Sequence, residues 1–275
     1  MYCLSLKNIM GNKKIVRDGH IHSPYCPHGT KDTFEMYVEK ALMEGLEEIT
    51  FTEHMPFPCS FIDDKKFLDE CAPSKEVIEM YFEEVEKLKS NYKDKIKINT
   101  GSEVDFVEGY EEETRKLLDI YGPKLEDSIL SVHFIKIDDK YIAIDWKPGF
   151  EEALEKLGTV ECIYDKYYET LLKAIQSDLG EFKPKRIGHP TLIRIFNKLY
   201  PMQYKNRELL EEIVKEIKNR NYEVDVNTAG LRKPYCSEIY VSDIFKELVE
   251  KYEVKKVYGS DSHTASDVGR DFDRE

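Results

Sequence analysis

The chain has no Cys-x-x-Cys pair; its six cysteines, Cys3, Cys26, Cys59, Cys71, Cys162 and Cys236, are scattered over 275 residues. That spacing speaks against a disulfide framework and a structural zinc knuckle, and fits reduced thiols in the cytosol. No run approaches the ~20 apolar residues of a membrane span. Met1 to Lys14 lack an apolar core followed by a small-residue cleavage site, so the expectation is an unexported, cytoplasmic protein with no membrane partner. An excess of basic residues is missing too: the formal net charge is −13, which argues against nucleic acid as a partner. A small anionic substrate would then need metal ions or local arginines. With no low-complexity tract, repeat or dividing linker, residues 1–275 read as one domain with a substantial core, residues 1–14 being a lead-in of undecided order. Nothing speaks to oligomeric state.

What the chain does contain is histidine in one recurring context. All seven histidines stand at the ends of apolar runs or in the loops after them. His20, His22 and His28 lie in Asp18-Gly19-His20-Ile21-His22-Ser23-Pro24-Tyr25-Cys26-Pro27-His28, and His54, His133, His189 and His263 follow. Ile15-Val16 before this stretch and a helical pattern after it predict a short buried strand ending in a loop. Side chains at i and i+2 share one face of a strand, so His20 and His22 present two imidazoles together, with His28 near enough to fold back over them. A His-x-His pair alone is as readily two core histidines; the other four histidines tip the reading to a metal site. Cys26 reads as a small buried apolar residue or as lining of that site.

Phe34, Tyr37, Val38, Ala41 and Leu42 predict an amphipathic helix ended by Gly45. A strand over 48–52 then delivers Glu53 and His54. Met55-Pro56-Phe57-Pro58 breaks regular structure, and residues 61–73 form a long loop that reads as a lid, a substrate wall or a packed insertion. Ser74 caps the next helix, with Val77, Tyr81, Phe82, Val85 and Leu88 inward. Residues 95–105 predict a third strand carrying Glu103, a carboxylate able to bridge two ions. A helix over 111–121 leads to a strand over 128–135 bearing His133, which Asp138-Asp139 turns into a hairpin partner at 140–145. Helix 161–177, strand 186–190, a helix through Leu210, Ile213, Val214 and Ile217, strand 222–226, a helix through Ile244, Phe245, Leu248, Val249 and Tyr252, and strand 254–259 complete the alternation. Seven strand-then-helix units imply an α/β fold with parallel strands, and a closed or nearly closed barrel gathers the metal-type residues at its C-terminal rim. An open doubly wound sheet is the alternative, and it would spread them along a line.

In this order the motifs Asp18-Gly19-His20-Ile21-His22, Thr52-Glu53-His54, Gly101-Ser102-Glu103, Ser131-Val132-His133, Ile187-Gly188-His189-Pro190 and Gly259-Ser260-Asp261-Ser262-His263 resemble the PHP (polymerase and histidinol phosphatase) family of metal-dependent phosphoesterases. The resemblance runs from about Asp18 to the C-terminus. It implies a distorted (β/α)7 barrel with its metal site at the C-terminal ends of the strands. It also implies three divalent ions (Zn, Fe or Mn): one on His20, His22, Glu103 and Asp261, a second on Glu103, His133 and His189, a third on His28, His54 and His263. All nine positions are filled. The stretches Ser23-Pro24-Tyr25-Cys26-Pro27-His28-Gly29, Phe51-Thr52-Glu53-His54-Met55-Pro56 and Asn227-Thr228-Ala229-Gly230-Leu231-Arg232-Lys233-Pro234 narrow the likeness to the histidinol-phosphate phosphatase branch. The implied reaction is hydrolysis of L-histidinol phosphate in histidine biosynthesis.

Such hydrolysis needs a nucleophile at neutral pH and relief of phosphoryl charge. Two ions ~3.5–4 Å apart can share a water, lower its pKa towards ~7 and clamp the phosphoryl group. The expected attack is therefore by a metal-bridging hydroxide, with Glu103, Asp261, His20 and His22 as the catalytic set. Arg232, and secondarily Arg194, are the expected phosphate clamps, because a guanidinium suits bidentate contact with phosphate. Acids of the 61–70 loop, including Asp63, Asp64 and Asp69, would suit a cationic substrate, although such a run is also an ordinary solvated face. The proton donor to the leaving group is unassigned, Glu53 and Asp105 being candidates beside water. The rival readings are a PHP-type nuclease or other phosphoesterase, and a metal-binding protein without turnover.

Overall fold

The computed structural model describes residues 14–58 and 61–274. Most of the 1–14 lead-in, together with Cys3 and Cys59, lies outside the described residues. The remaining cysteines are free thiols. No helix among the described residues is long and apolar enough to cross a membrane.

The predicted alternation is realised. Strand β1 (Arg17–Ile21) leads to helix α1 (Phe34–Met43), β2 (Glu48–Phe51), α2 (Lys65–Cys71), α3 (Lys75–Tyr92) and β3 (Lys97–Thr100). Then come β4 (Glu103–Asp105), α4 (Glu111–Tyr121), β5 (Ile129–Ser131), the antiparallel hairpin β6 (Phe134–Ile137) and β7 (Lys140–Ala143), α5 (Lys147–Leu157) and α6 (Val160–Gln176). The chain continues through β8 (Arg186–Ile187), α7 (Arg207–Asn219), β9 (Glu223–Asn227), α8 (Asp243–Lys251) and β10 (Lys255–Gly259). The helices bury the predicted apolar faces, and Gly45 adopts φ 72° beyond α1, a left-handed conformation that suits glycine.

One sheet orders its strands β1-β2-β3 and the other β10-β9-β8-β5-β4, all parallel. The sheets meet at both margins. On one side Ile21 bridges Ser262, and the Asp261 N–H donates to the His20 carbonyl at 2.7 Å. On the other, the chain passes from β3 into β4 and His54 bridges Glu103. With β3 and β4 counted as one broken strand, seven parallel strand positions form a ring, and the open doubly wound alternative is set aside.

Two departures from the sequence reading matter for the site. The single strand expected over 95–105 is broken at Gly101-Ser102, because the chain crosses there between sheets. A Cβ on Gly101 would lie 1.9 Å from the Asp127 carbonyl oxygen, so only glycine passes. The long loop after Phe61 contains α2, capped by Asp64, whose carboxylate accepts from the Phe67 N–H at 3.0 Å.

Below the C-terminal rim the interior holds a charged layer. Asp127 Oδ2 accepts from Arg17 Nη2 (2.5 Å), Thr50 Oγ1 (2.7 Å) and Arg186 Nη2 (3.0 Å), so one carboxylate ties together β1, β2, β8 and the approach to β5. The fully buried Arg186 also donates to the Gly19 carbonyl at 2.7 Å. Burial pushes the Asp127 carboxyl up, but Arg186 and Arg17 hold it below its usual range. Removing one partner of such a cluster leaves desolvated polar groups uncompensated. Arg186→Met is therefore expected to destabilise the protein by roughly 3 kcal/mol, seen as a lower urea midpoint at unchanged m-value; a loss below about 1 kcal/mol would contradict it.

Candidate metal centre

The first two histidines owe their placement to a register shift. Asp18 pairs with Ile49 and Ile21 with Phe51, so Gly19 and His20 together oppose Thr50. Such a bulge breaks the alternation of a strand and re-aims the next side chain. A Cβ on Gly19 would strike Val257 and Arg186, while His20 reaches carboxylates from three other elements. Asp18 fixes the bulge, accepting from the His20 and Ser260 N–H groups at 3.2 and 3.0 Å. His22 follows with its ring centroid 5.3 Å from that of His20.

Glu103 opens β4 immediately after the crossing and is 1 % exposed. Its Oε2 lies 3.6 Å from His20 Nε2, 3.4 Å from His22 Nε2 and 3.4 Å from His54 Nδ1. Its Oε1 lies 2.9 Å from His189 Nε2 and 3.7 Å from His133 Nε2, and accepts from Ser131 Oγ at 2.6 Å. Five imidazoles thus converge on one carboxylate. Asp261, in a left-handed backbone conformation (φ 52°), brings Oδ1 to 3.2 Å from His22 Nε2 and 3.5 Å from His20 Nε2. His28 and His263 stand at the outer side, their Nε2 atoms 3.0 Å apart.

Three compact donor groups result: His20, His22 and Asp261; Glu103, His133 and His189; and His22, Cys26, His54 and His263, each with donor atoms within 4.8 Å of one another. Both ring nitrogens of His22 and of His54, and Nε2 of His20, are buried without a hydrogen-bond partner. Buried polar atoms left this way are costly unless something binds them. A cation meeting these lone pairs is the simplest partner, and the N/O donor set fits a divalent metal.

The outer side of the rings carries residues that the sequence reading passed over or placed differently. His20 Nδ1 lies 2.7 Å from Asp225 Oδ2, and His133 Nδ1 lies 2.7 Å from Asp105 Oδ1. His263 Nδ1 faces the Asp261 carbonyl at 3.0 Å and His28 Nδ1 the Glu70 carbonyl at 3.1 Å. Each such partner holds the Nδ1 proton and leaves the Nε2 lone pair free to face a metal. Asp105 is thereby engaged, and Glu53 as well: its Oε2 accepts from the Ser23 N–H and Oγ at 2.9 and 2.5 Å. The one sequence signal for Asp225 was a carboxylate set between the two valines of β9, Val224 and Val226.

Arg232 lines the cavity above the centre, but its guanidinium is already held by Asp267 (3.1 Å), Asp271 (3.4 Å) and the Ser260 carbonyl (2.5 Å). Arg194 is not among the lining residues; it grips Glu238 at 2.6 and 3.0 Å and Asp243 at 3.2 Å. That pairing removes it from the substrate site expected of it. Lys233 was overlooked: it is exposed, lines the cavity and makes no ion pair among the described residues. Of the loop acids, Glu70 lines the cavity, whereas Asp63, Asp64 and Asp69 do not.

Burial pushes the Glu103 carboxyl up, but His20 and His133 hold it well below the usual range. Burial pushes the His20 imidazole down, yet Asp261, Asp225 and Glu103 raise it to about 10. His133 reaches about 10 in the same way, with Asp105 and Glu103 outweighing burial. His54 and His263 are held well below the usual value, first by burial and then by the neighbouring His22. In the absence of metal, protons on His20 and His133 balance the carboxylates.

A ring of parallel strands with clustered imidazoles and acids at its rim is the architecture of a metal-dependent hydrolase. The PHP domain pattern matches residues 18–229, and the chain belongs to the PHP domain family. A histidinol-phosphatase of Bacillus subtilis (strain 168) is 43 % identical over 256 residues, covering 92 % of this chain and 95 % of that protein. The crystal structure of hisK from Listeria monocytogenes superposes with a TM-score of 0.88 at 34 % identity, over 94 % of this chain and 99 % of that one. The histidinol phosphate phosphatase of Lactococcus lactis, crystallised with Zn, L-histidinol and phosphate, shares the fold with a TM-score of 0.66 at 24 % identity, over 92 % of this chain and 90 % of that one.

Two measurements test the centre. Loss of an outer carboxylate that orients a ligating imidazole commonly weakens metal binding by about 10–100-fold, so Asp225→Ala should do so in competition with a chelator of known affinity, and unchanged affinity would refute the role. His20 and His133 stay protonated up to about 10, and an incoming ion must displace those protons. Raising the pH removes that competition, so affinity should climb between roughly pH 6 and 9, and a flat profile there would contradict the assignment.

Proposed function

We propose that this chain hydrolyses L-histidinol phosphate to L-histidinol and inorganic phosphate, using divalent ions held at the rim. The observation that carries the reading is the convergence of five imidazoles on the buried Glu103 carboxylate beneath an aromatic-walled cavity. The 43 % identity to a histidinol-phosphatase directs it to this substrate.

In this reading His20, His22, Glu103 and Asp261 would hold one ion, Glu103, His133 and His189 a second, and His28, His54 and His263 would contribute to a third. Such ions make water nucleophilic near neutral pH and neutralise phosphoryl oxygens. The chain's own residues supply orientation. Asp225 and Asp105 fix the tautomers of His20 and His133, so their Nε2 atoms need no reorganisation to meet an ion.

The cavity, of about 720 Å³, has Phe57, Phe67, Phe134 and Trp146 along one wall. Glu70 and Asp145 line the same cavity. A flat imidazole with a nearby ammonium suits that wall, through stacking and opposite charge. Lys233 and Arg232 also line the cavity and would suit a phosphate dianion. The free ammonium of Lys233 is available without breaking a pair, whereas Arg232 must first leave Asp267 or Asp271.

Protein of measured metal content should release phosphate from L-histidinol phosphate in preference to a panel of other monoesters, and chelation should abolish turnover. If other monoesters are cleaved and this one is not, the substrate fails and the metal chemistry stands. His20→Ala should lower kcat by on the order of 10³. Lys233→Ala should raise KM by roughly tenfold with a smaller effect on kcat, the pattern of a group that binds ground and transition states alike.

A further inference from the structure

Cys26 is 6 % exposed and sits in the loop that joins His22 to His28. The loop is held from several sides. The Cys26 N–H donates to the Ser23 carbonyl at 3.0 Å, and the Gly29 N–H donates to the Cys26 carbonyl at 3.1 Å. Glu53 in turn grips Ser23 through its backbone N–H and hydroxyl. The thiol therefore has a defined position, among donors of His22, His54 and His263 that all lie within 4.8 Å of one another.

The independent pointer to a ligand comes from the neighbours. His22 is fully buried and His54 is 7 % exposed, and all four of their ring nitrogens lack a hydrogen-bond partner. The His22 ring stacks on His263 at 3.9 Å and stands 4.4 Å from His54. One sulfur with imidazoles around an empty-handed set of nitrogens is a donor combination that tetrahedral zinc accepts.

We propose that Cys26 supplies a thiolate to the ion held by His54 and His263, so that the outer position is a sulfur-containing site. Binding forms a metal–sulfur bond, and the thiol proton passes to solvent. A sulfur donor favours Zn²⁺ over the harder Mn²⁺ and Mg²⁺, which sets this position apart from the nitrogen- and oxygen-only positions around Glu103. The proposal rests on the metal reading above and is independent of the substrate.

X-ray absorption at the zinc edge of the zinc-loaded protein tests it. A sulfur shell at about 2.3 Å is expected beside the nitrogen and oxygen shell near 2.0–2.1 Å. It should vanish in Cys26→Ser or Cys26→Ala, and persist in Cys71→Ser, which removes the described thiol that lines the cavity. A wild-type spectrum without sulfur, or sulfur that survives loss of Cys26, overturns the proposal. If neither Cys26 variant folds, Cys71→Ser decides: retained sulfur sustains the assignment, and lost sulfur moves it to Cys71. Protein that takes up no zinc in equilibrium dialysis would overturn the metal reading and this inference with it, whereas uptake with a purely nitrogen and oxygen shell overturns this inference alone.

Discussion

The rest of the molecule is arranged around a carboxylate that would be intolerable alone. Glu103 is almost fully removed from water, and an ionised acid in such a place carries a penalty of several kcal/mol unless positive charge surrounds it. The ring of strands supplies that surrounding from four strand ends, with His20 in β1 and His22 just after it, His54 after β2, His133 after β5 and His189 after β8. No single helix or hairpin could do so. Converging donors from separate elements need a closed ring, and a closed ring needs a pinned crossing, which is why Gly101 admits no side chain.

The barrel separates this demand from stability by depth. The charged layer of Arg17, Asp127 and Arg186 lies deeper, at the start of the strands, and there every charge has an opposite partner in the protein itself. At the C-terminal ends Nε2 of His20 and both ring nitrogens of His22 and of His54 are left without hydrogen-bond partners. The two layers obey one rule about buried charge and answer it differently: in the lower one opposite charges pair within the protein, whereas the upper one gathers lone pairs that suit a cation from outside. The lowered affinity of His54 and His263 for protons belongs to the same logic, since burial first, and then the neighbouring His22 and His28, disfavour a further proton there.

How legible this was in the sequence differs by kind of interaction. Candidate ligand types at strand ends announce themselves, because a polar residue after an apolar run has few structural reasons to be there; the seven histidines and Glu103 stand out this way, and Asp261 through the family resemblance. The ring order followed from the strand–helix alternation. What stayed hidden depends on register and distance. The bulge that turns His20 inward arises from how β1 pairs with β2, and nothing in Asp18-Gly19-His20 alone requires it. Arg194 follows a histidine in sequence, yet Glu238 and Asp243, more than forty positions on, claim its guanidinium. The break between β3 and β4 was concealed by Ile96, Ile98 and Val104, whose alternation reads as one strand although Gly101 parts it.

The outer carboxylates show why a ligand inventory is half of such a site. An imidazole offers either nitrogen, and a ring free to choose would have to be ordered when the ion arrives. Asp225 and Asp105 make the choice in advance, each at 2.7 Å from Nδ1. Their presence has a second effect, because the same negative charge that selects the tautomer also raises the affinity of the ring for a proton. Orientation and proton competition are thus two results of one contact. A divalent ion, with twice the charge of the proton and shared acceptors on Glu103 and Asp261, gains more from that field than the proton does, so the arrangement favours metal wherever the supply and pH allow it to compete.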